Sequence, residues 1–301
     1  MNRFLHIIVN QQSRNSIKKF KELVLELPKY TNHYQVHQTN SIQQLDRLLS
    51  QLKDKISPKD IIVFVGGDGS LNQGVTLMEK YQMEHTVGYL ATGSGNDFAR
   101  AMGLSTNISE ALDHFISHAK EKELAILQAT EGDKVYYAVN SLGIGIDGYV
   151  NHLIRDQKQN KSGNFFPYLR MLFKAFTSQQ KFPVTLKVDD GIFHFEKVQI
   201  ALFVNNPYFG GGLHIIPGAS NQDDEIEVLI GHNVSYKDLL NIIGRLLTGK
   251  SHLEHPKLVV YKTKRASLFT EASDYGQKDG EVFHQNGYAL TVSTKNRKFW
   301  L

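Results

Sequence analysis

The chain has 301 residues, 41% of them hydrophobic and 21% charged, the profile of a soluble globular protein long enough for two domains with separate cores. It contains no cysteine, which excludes disulfides, thiolate metal ligands and a cysteine nucleophile. A formal charge of +4 is too small to argue for nucleic acid as a partner, yet it suits a protein that visits anionic membranes or binds polyphosphate.

No apolar run reaches the roughly 20 residues that span a bilayer. Met1 to Leu5 leads straight into Ile7-Ile8-Val9 without the apolar core of a signal peptide, so a cytoplasmic location is expected. In chain order, Phe4–Asn10 predicts a strand, Ile17–Leu27 a helix, Tyr34–Gln38 a strand, Ile42–Leu52 a helix and Ile61–Val65 a strand. Asn72–Tyr81 follows as a helix and Thr86–Tyr89 as a strand. Such alternation implies βαβ units and an α/β domain with an open, mostly parallel sheet and flanking helices.

The strand Ile61–Val65 runs directly into Gly66-Gly67-Asp68-Gly69-Ser70-Leu71-Asn72. Its continuous β-branched run reads as a buried parallel strand that stops at glycines and opens a helix. Glycines there let backbone amides approach a ligand, and the helix amino terminus adds positive partial charge, so the implied ligand is a phosphate group. Asp68 would repel a phosphate unless a metal ion lay between them. The plain alternative is a tight strand-to-helix turn with no ligand. A second glycine-rich segment, Thr92-Gly93-Ser94-Gly95-Asn96-Asp97-Phe98-Ala99-Arg100, follows the Thr86–Tyr89 strand. By itself it is a capped helix starting at Asp97. Beside the first loop, it puts two phosphate-friendly turns at the carboxyl edge of one parallel sheet, where open α/β sheets bind ligands.

After about Glu123 the pattern turns β-rich. Lys134–Asn140, Val184–Val188, Ile192–Val204, Ile226–Gly231, Lys257–Thr263, Ser267–Thr270 and Tyr288–Thr294 read as strands with few helices between them. This predicts a second, antiparallel, sandwich-like domain and an active site in the cleft between the two. The aromatic helix Asn164–Phe176, with Arg170 and Lys174, reads as a core-packing element or as the membrane-facing lip of an apolar pocket. Gly244 to Ser251 satisfies the Walker A pattern, but a P-loop follows a strand, and Tyr236–Leu247 has helical periodicity. Gly249 reads instead as a helix stop, with Lys250 complementing the helix dipole. His252 and His255 lack a third metal ligand and read as a surface loop. In Gln277-Lys278-Asp279-Gly280-Glu281, Asp279-Gly280 is a ready hairpin turn. Phosphoryl transfer to an alcohol gains from a carboxylate that accepts the hydroxyl proton; Glu281 or Asp279 could supply it, and spacing does not choose between them.

Gly66-Gly67-Asp68-Gly69-Ser70 with Asn72, the Thr92 to Arg100 run and Asp279-Gly280-Glu281 resemble, in order, the motifs of the diacylglycerol kinase catalytic domain. The form they resemble most is the soluble bacterial diacylglycerol kinase-like lipid kinase. Asn205-Asn206 with Gly210-Gly211-Gly212 adds to the likeness, as does Ala219 to Val228, which resembles the family's acidic loop, and the similarity spans essentially the whole chain. The resemblance implies an NAD kinase-like first domain, 1–125 with a returning segment 288–301, and a lipid-substrate domain, 126–287. It further implies ATP and Mg2+ as cofactors and transfer of the γ-phosphate to a lipid hydroxyl, with diacylglycerol, giving phosphatidic acid, as the default acceptor.

By the same resemblance Glu281 is the general base, and Asp68 and Asp97 belong to a magnesium-water network. ATP would be held by the turn Asn10, Gln11, Gln12, Ser13 and Arg14, by Thr39, and by Gly66, Gly67, Asp68, Gly69, Ser70, Leu71, Asn72 and Gln73 of the first loop. Thr92, Gly93 and Asn96 of the second loop join them. Ser220, Asp223 and Glu225 match a structural magnesium site in which some ligands are backbone carbonyls, so that side-chain identity matters less there. The chain departs from the family in three places. Asn10 to Arg14 lacks the usual proline and glycine, Asp224 stands where glycine is usual and would strain the acidic loop or change its metal affinity, and Ser70 replaces threonine while keeping the hydroxyl. The expected partners are ATP and a lipid presented at the membrane surface, with transient contact at the inner face of the membrane. Exposed β-edges would suit a homodimer. The alternatives are an NAD kinase-like enzyme and a non-catalytic nucleotide- or lipid-sensing protein.

Overall fold

The computed structural model describes residues 3–11, 14–156 and 165–301, with the backbone alone at 14–17, 155, 165–168 and 273. The chain forms two compact units, Met1–Leu124 with Asn296–Leu301, and Ala125–Lys295.

The first unit is built from β1 (Leu5–Asn10), α1 (Arg14–Glu26), β2 (Tyr34–Thr39), α2 (Ile42–Leu52), β3 (Ile61–Gly66), α3 (Asp68–Lys80), β4 (Thr86–Ala91), α4 (Asp97–Ala101) and α5 (Ile108–Asp113). Its strands lie in the order β2-β1-β3-β4, all parallel, with Leu5 opposite Tyr34 and Ile61, and Ile61 opposite Thr86. Both β3 and β4 are buried at every position. That burial on both faces is why their sequences are apolar throughout instead of alternating. On one face Ile7, Val63 and Val65 pack with Leu23 and Leu27 of the α1 region. On the other, Phe64 lies against α3 at Gly74, where a Cβ would sit 2.3 Å from the Phe64 ring. The helix expected to begin at Asn72 begins at Asp68, because Gly67 is the cap and Asp68-Gly69-Ser70 is already the first turn.

The chain returns to this unit at its end. Phe299 and Trp300 pair with Val87 and Gly88, and Arg297, buried, donates from Nη1 to Glu79 at 2.8 Å and from Nη2 to the His85 carbonyl at 3.0 Å. The returning segment is Asn296–Leu301, shorter than 288–301, since Tyr288 to Ser293 pairs with Thr270 to Arg265 in the second unit.

The second unit takes in most of β5 (Glu121–Glu131), followed by β6 (Lys134–Ala138), β7 (Ser141–Gly145), α6 (Ile146–Asp156), α7 (Phe165–Ser178), β8 (Phe182–Val188), β9 (Gly191–Val204), β10 (Tyr208–Phe209) and β11 (Leu213–His214). The chain continues through β12 (Ile226–His232), α8 (Tyr236–Leu247), β13 (Leu258–Thr263), β14 (Arg265–Lys278) and β15 (Glu281–Trp300). Neighbours run antiparallel along β13-β12-β9-β7-β14-β15, and β8 pairs with both β9 and β14, so β9, β7, β14 and β8 close a barrel-like ring. Leu142, Val184, Leu186, Val198, Phe203, Val228, Leu268 and Leu290 fill its core. In β8 the alternation is complete, with Phe182, Val184, Leu186 and Val188 buried and Pro183 and Lys187 exposed. The predicted strands Ser267–Thr270 and Tyr288–Thr294 prove to be parts of one long hairpin. Helices α6, α7 and α8 all belong to this unit, and α6 is an addition to the sequence-based expectation.

Candidate active site

In the first unit, the loops after β3 and β4 meet backbone to backbone. A Cβ on Gly93 would lie 2.4 Å from the Gly67 Cα and 2.9 Å from Asn96 Oδ1. Only glycine at both positions permits that approach. The Thr92 amide donates to the Gly66 carbonyl at 2.8 Å, and the Tyr89 hydroxyl donates to the same oxygen at 3.2 Å. Asp68 ties the loops from the other side: its two carboxylate oxygens accept the amides of Asp97 and Phe98, each at 3.0 Å, at the start of α4. Burial first, then the Asp68 and Asp97 charges, raise the Tyr89 phenol well above its ordinary value. Asn96, in the left-handed region at φ 54°, donates from Nδ2 to the Gly93 carbonyl at 2.8 Å.

The carboxyl ends of β1, β2 and β3 gather a second set of the expected residues. Asn10 Nδ2 donates to Ser70 Oγ at 3.0 Å, and Asn10, Thr39, Ser41, Ser70 and Gln73 line one recess. The Gln11 amide donates to the Thr39 carbonyl at 2.8 Å. Gln12 and Ser13 lie outside the described residues, as does the Arg14 side chain. Leu71 and Asn72 are 0% exposed, because the helical repeat turns both inward, so neither side chain can touch a nucleotide. Two buried polar atoms, Thr92 Oγ1 and Asn96 Oδ1, have no hydrogen-bond partner in the protein. Such atoms are costly unless a ligand or water satisfies them. Glycines in backbone contact, a helix start and two such atoms fit the phosphates and hydroxyls of a nucleotide.

In the second unit the Asp279-Gly280 turn, with φ of 44° and 82°, closes the β14–β15 hairpin at the Lys278–Glu281 pair. It is not a solvated tip. Asp279 Oδ1 accepts the amides of Asn140 and Ser141 at 2.9 Å, Oδ2 accepts the Val139 amide, and the Asp279 amide donates to the Ser141 carbonyl at 3.0 Å. Gln277, completely buried, accepts the Gly280 amide at 2.7 Å and donates to Ser141 Oγ at 3.2 Å. Asp279 is thus a structural staple. Glu281, on the other side of the turn, has its Oε2 3.3 Å from the Lys278 ammonium.

Sequence reasoning missed Gln277 and also Asp147, in the first turn of α6. Asp147 is 1% exposed, and its burial raises the carboxyl to about 7, with a hydrogen bond from Gln277 pulling the other way. The missing signal is long-range, since 136 residues separate Ser141 from Gln277.

In the acidic loop, the Asp223 and Glu225 side chains carried over to a magnesium site both face a lysine. Lys262 Nζ lies 3.2 Å from Asp223 and 2.9 Å from Glu225, and the two carboxylates raise the ammonium to about 12. Ser220 Oγ accepts the Gln222 amide within the loop. Among the described residues no group of three or more acidic or histidine side chains is gathered there, so a metal would draw on backbone carbonyls and compete with Lys262 for the two carboxylates. Asp224 is not strained: its φ is not positive, and it pairs with Lys264 at 2.8 Å.

The Walker-like segment lies at the end of α8, where Gly249 has φ 69° and the Lys250 amide donates to the Arg245 carbonyl at 3.0 Å, a helix stop. His252 and His255 are buried, at 4% and 8% exposure, and not displayed on the surface as expected. His252 Nε2 contacts the Ile215 carbonyl at 2.7 Å, and His255 lies 3.5 Å from Asp238, so each ring serves the packing of its loop.

The model of the diacylglycerol kinase catalytic domain matches residues 5–128, and that of the YegS C-terminal NAD kinase beta sandwich-like domain matches residues 140–295. The chain belongs to the diacylglycerol kinase-like lipid kinase family. Among its relatives, a Staphylococcus aureus (strain MSSA476) protein named "Putative lipid kinase SAS0691" is 23% identical over 288 residues, covering 93% of this chain and 92% of the relative. Among solved structures, a "putative diacylglycerol kinase" from Bacillus anthracis str. Sterne superposes with a TM-score of 0.80 at 18% identity, covering 99% and 94% of the two chains. A second Bacillus anthracis structure, of a diacylglycerol kinase, gives 0.70 at 16% identity, covering 99% and 96%. At those identities the likeness speaks for the shared two-domain α/β fold with a β-rich second part. No helix among the described residues of this family member is long and apolar enough to cross a membrane.

Proposed function

We propose that this kinase transfers the γ-phosphate of ATP to the hydroxyl of a membrane lipid, with diacylglycerol as acceptor and phosphatidic acid as product. The observation that carries the assignment of the base is the division of labour within Asp279-Gly280-Glu281: Asp279 is spent on three backbone amides, which leaves the proton to Glu281. Glu281 takes the proton from the lipid hydroxyl as that oxygen bonds to the γ-phosphorus. The bond from the γ-phosphorus to the bridging oxygen breaks, and ADP leaves. Magnesium bound with ATP would supply charge neutralisation on the phosphates. The backbone amides of the Gly67 and Gly93 loops position the nucleotide, and Asp68 keeps the two loops in register.

The direct test is incubation with radiolabelled ATP and a total lipid extract, followed by identification of the labelled product. Labelled phosphatidic acid is expected, and Glu281→Gln should keep ATP binding while turnover falls by about 100-fold or more. A Glu281→Gln enzyme with most of its turnover would remove Glu281 from the role of base. Phosphorylation of NAD and of no lipid in the same assay would replace the acceptor altogether.

A further inference from the structure

Helix α8 carries an apolar stripe that the fold leaves uncovered. Its inner side, Leu239 and Ile243, packs with Val234 against Leu169, Leu172, Phe173 and Phe176 of α7. Adjoining that side, Tyr236, Leu240 and Leu247 are 51%, 48% and 54% exposed. At about 100° per residue these three fall within about 40° of one another, so they form one strip. Tyr236 continues the strip onto α7 through ring contacts with Phe173 and Phe176. Folding hides most apolar side chains of this size, and a strip of three on one helix marks a contact surface.

The charges around the strip indicate what covers it. Helices α7 and α8 carry Arg170, Lys174, Lys237 and Arg245 against one carboxylate, Asp238; Arg245 lies about 160° round α8 from the strip and 3.9 Å from Glu254, so the charges that border the strip are the three lysine and arginine side chains that remain. Asp238 is committed to its own helix cap and to His255. Arg170, Lys174, Lys237 and Lys250 are all exposed. Leucines and a tyrosine beside Arg170, Lys174, Lys237 and Lys250, which have no carboxylate partner among the described residues, match the interface of an anionic bilayer, where apolar side chains enter the acyl boundary and lysines meet lipid phosphates. Two further exposed apolar side chains, Ile192 and Phe269, lie on separate strands; Ile192 has a single lysine, Lys187, opposite it and the acidic Asp189 and Asp190 at its hairpin.

We propose that the Tyr236–Leu240–Leu247 strip of α8, with Lys237, Lys250 and the basic residues of α7, is the surface by which the protein docks on anionic membranes. The proposal gives the lipid-kinase reading its route to substrate and rests on it for purpose, while its test does not require turnover. Full-length protein is sedimented with phosphatidylcholine vesicles containing phosphatidylglycerol, and with pure phosphatidylcholine vesicles as reference. Binding to the mixed vesicles is expected, weakened by salt. The Leu240→Asp/Leu247→Asp variant should bind about tenfold more weakly or less, with a thermal midpoint lowered only modestly because each side chain is already about half in solvent. Ile192→Asp should bind as the wild type does. Phosphorylation of a short-chain acceptor in detergent micelles should be the same in all three proteins. Failure of the wild type to bind anionic vesicles, or full binding by the double variant, overturns the proposal. So does a dimer-to-monomer shift of the double variant on size exclusion, which would make the strip a subunit contact. Vesicle binding without any phosphoryl transfer would sink the kinase reading and leave the docking surface standing.

Discussion

Replacing Asp147 by asparagine should make the protein lose much of its pH-dependent stability between about pH 4 and pH 7. The folded carboxyl holds its proton up to about 7, whereas in the unfolded chain it releases it near 3.8. Between those values the folded state binds more protons than the unfolded state, so this group's contribution falls as pH rises and is flat above and below the window. At 1.36 kcal/mol per unit, a shift of about three units sets a ceiling of about 4 kcal/mol on that loss. Asp147 is completely enclosed, so solvent screening gives little relief, and Gly143 is packed onto it closely enough that a Cβ there would be 2.5 Å from Oδ2. Asparagine keeps the shape but offers an amide where Gln277 and Asn151 both point N–H groups, which adds a penalty that does not vary with pH. The slope is therefore the diagnostic. Urea unfolding of wild type and Asp147→Asn from pH 4 to pH 8 should give a stability difference that shifts in favour of the variant by up to about 4 kcal/mol across the window. A difference that is the same at every pH would show that Asp147 ionises normally and refute the reasoning.

Three further outcomes follow from the site. Asp279→Ala removes the acceptor for the amides of Val139, Asn140 and Ser141, and should cost about 2–4 kcal/mol in chemical unfolding together with most of the turnover. Gly93→Ala drives a methyl into the Gly67 Cα, so calorimetric ATP affinity should fall at least about tenfold while the fold, read by circular dichroism, persists. In the acidic loop, magnesium at constant ionic strength should leave the wild-type melting temperature unchanged and raise that of Lys262→Met, whose Asp223 and Glu225 have lost their cation. A saturable magnesium shift in the wild type would restore the metal site.

Much of the first unit is legible in the sequence because its strands are short, apolar and closed by glycines. Ile61 to Gly66 is buried on both faces and therefore shows no alternation, and the switch to Gly67-Asp68-Gly69 marks the helix start to within four residues. The second unit is harder to read. Residues 271–278 and 281–287 belong to strands with weak alternation, and α6 follows β7 with no connecting residue, so neither announces itself locally. In the first unit the glycine loops, Asn10, Thr39 and Ser70 are recognisable from motif and position, as is Glu281 in the second. Leu71 and Asn72 are not separable from their less buried neighbours until the helix fixes which side is inward.

The sequence by itself determined the parallel α/β unit, its two phosphate-type loops, the β-rich second half and the family, since each depends on periodicity or on glycines within a few residues of one another. Only the tertiary structure decided what the carboxylates do. Asp279 becomes a staple because residues 139–141 arrive from the far side of the hairpin, and Asp147 is buried beside Gln277. Asp68 closes onto the amides of the next loop, and Asp223 and Glu225 of the acidic loop pair with Lys262. In each case the deciding partner lies about 30 or more residues away along the chain, beyond the reach of any local pattern, and a carboxylate's role is set by the donor that meets it.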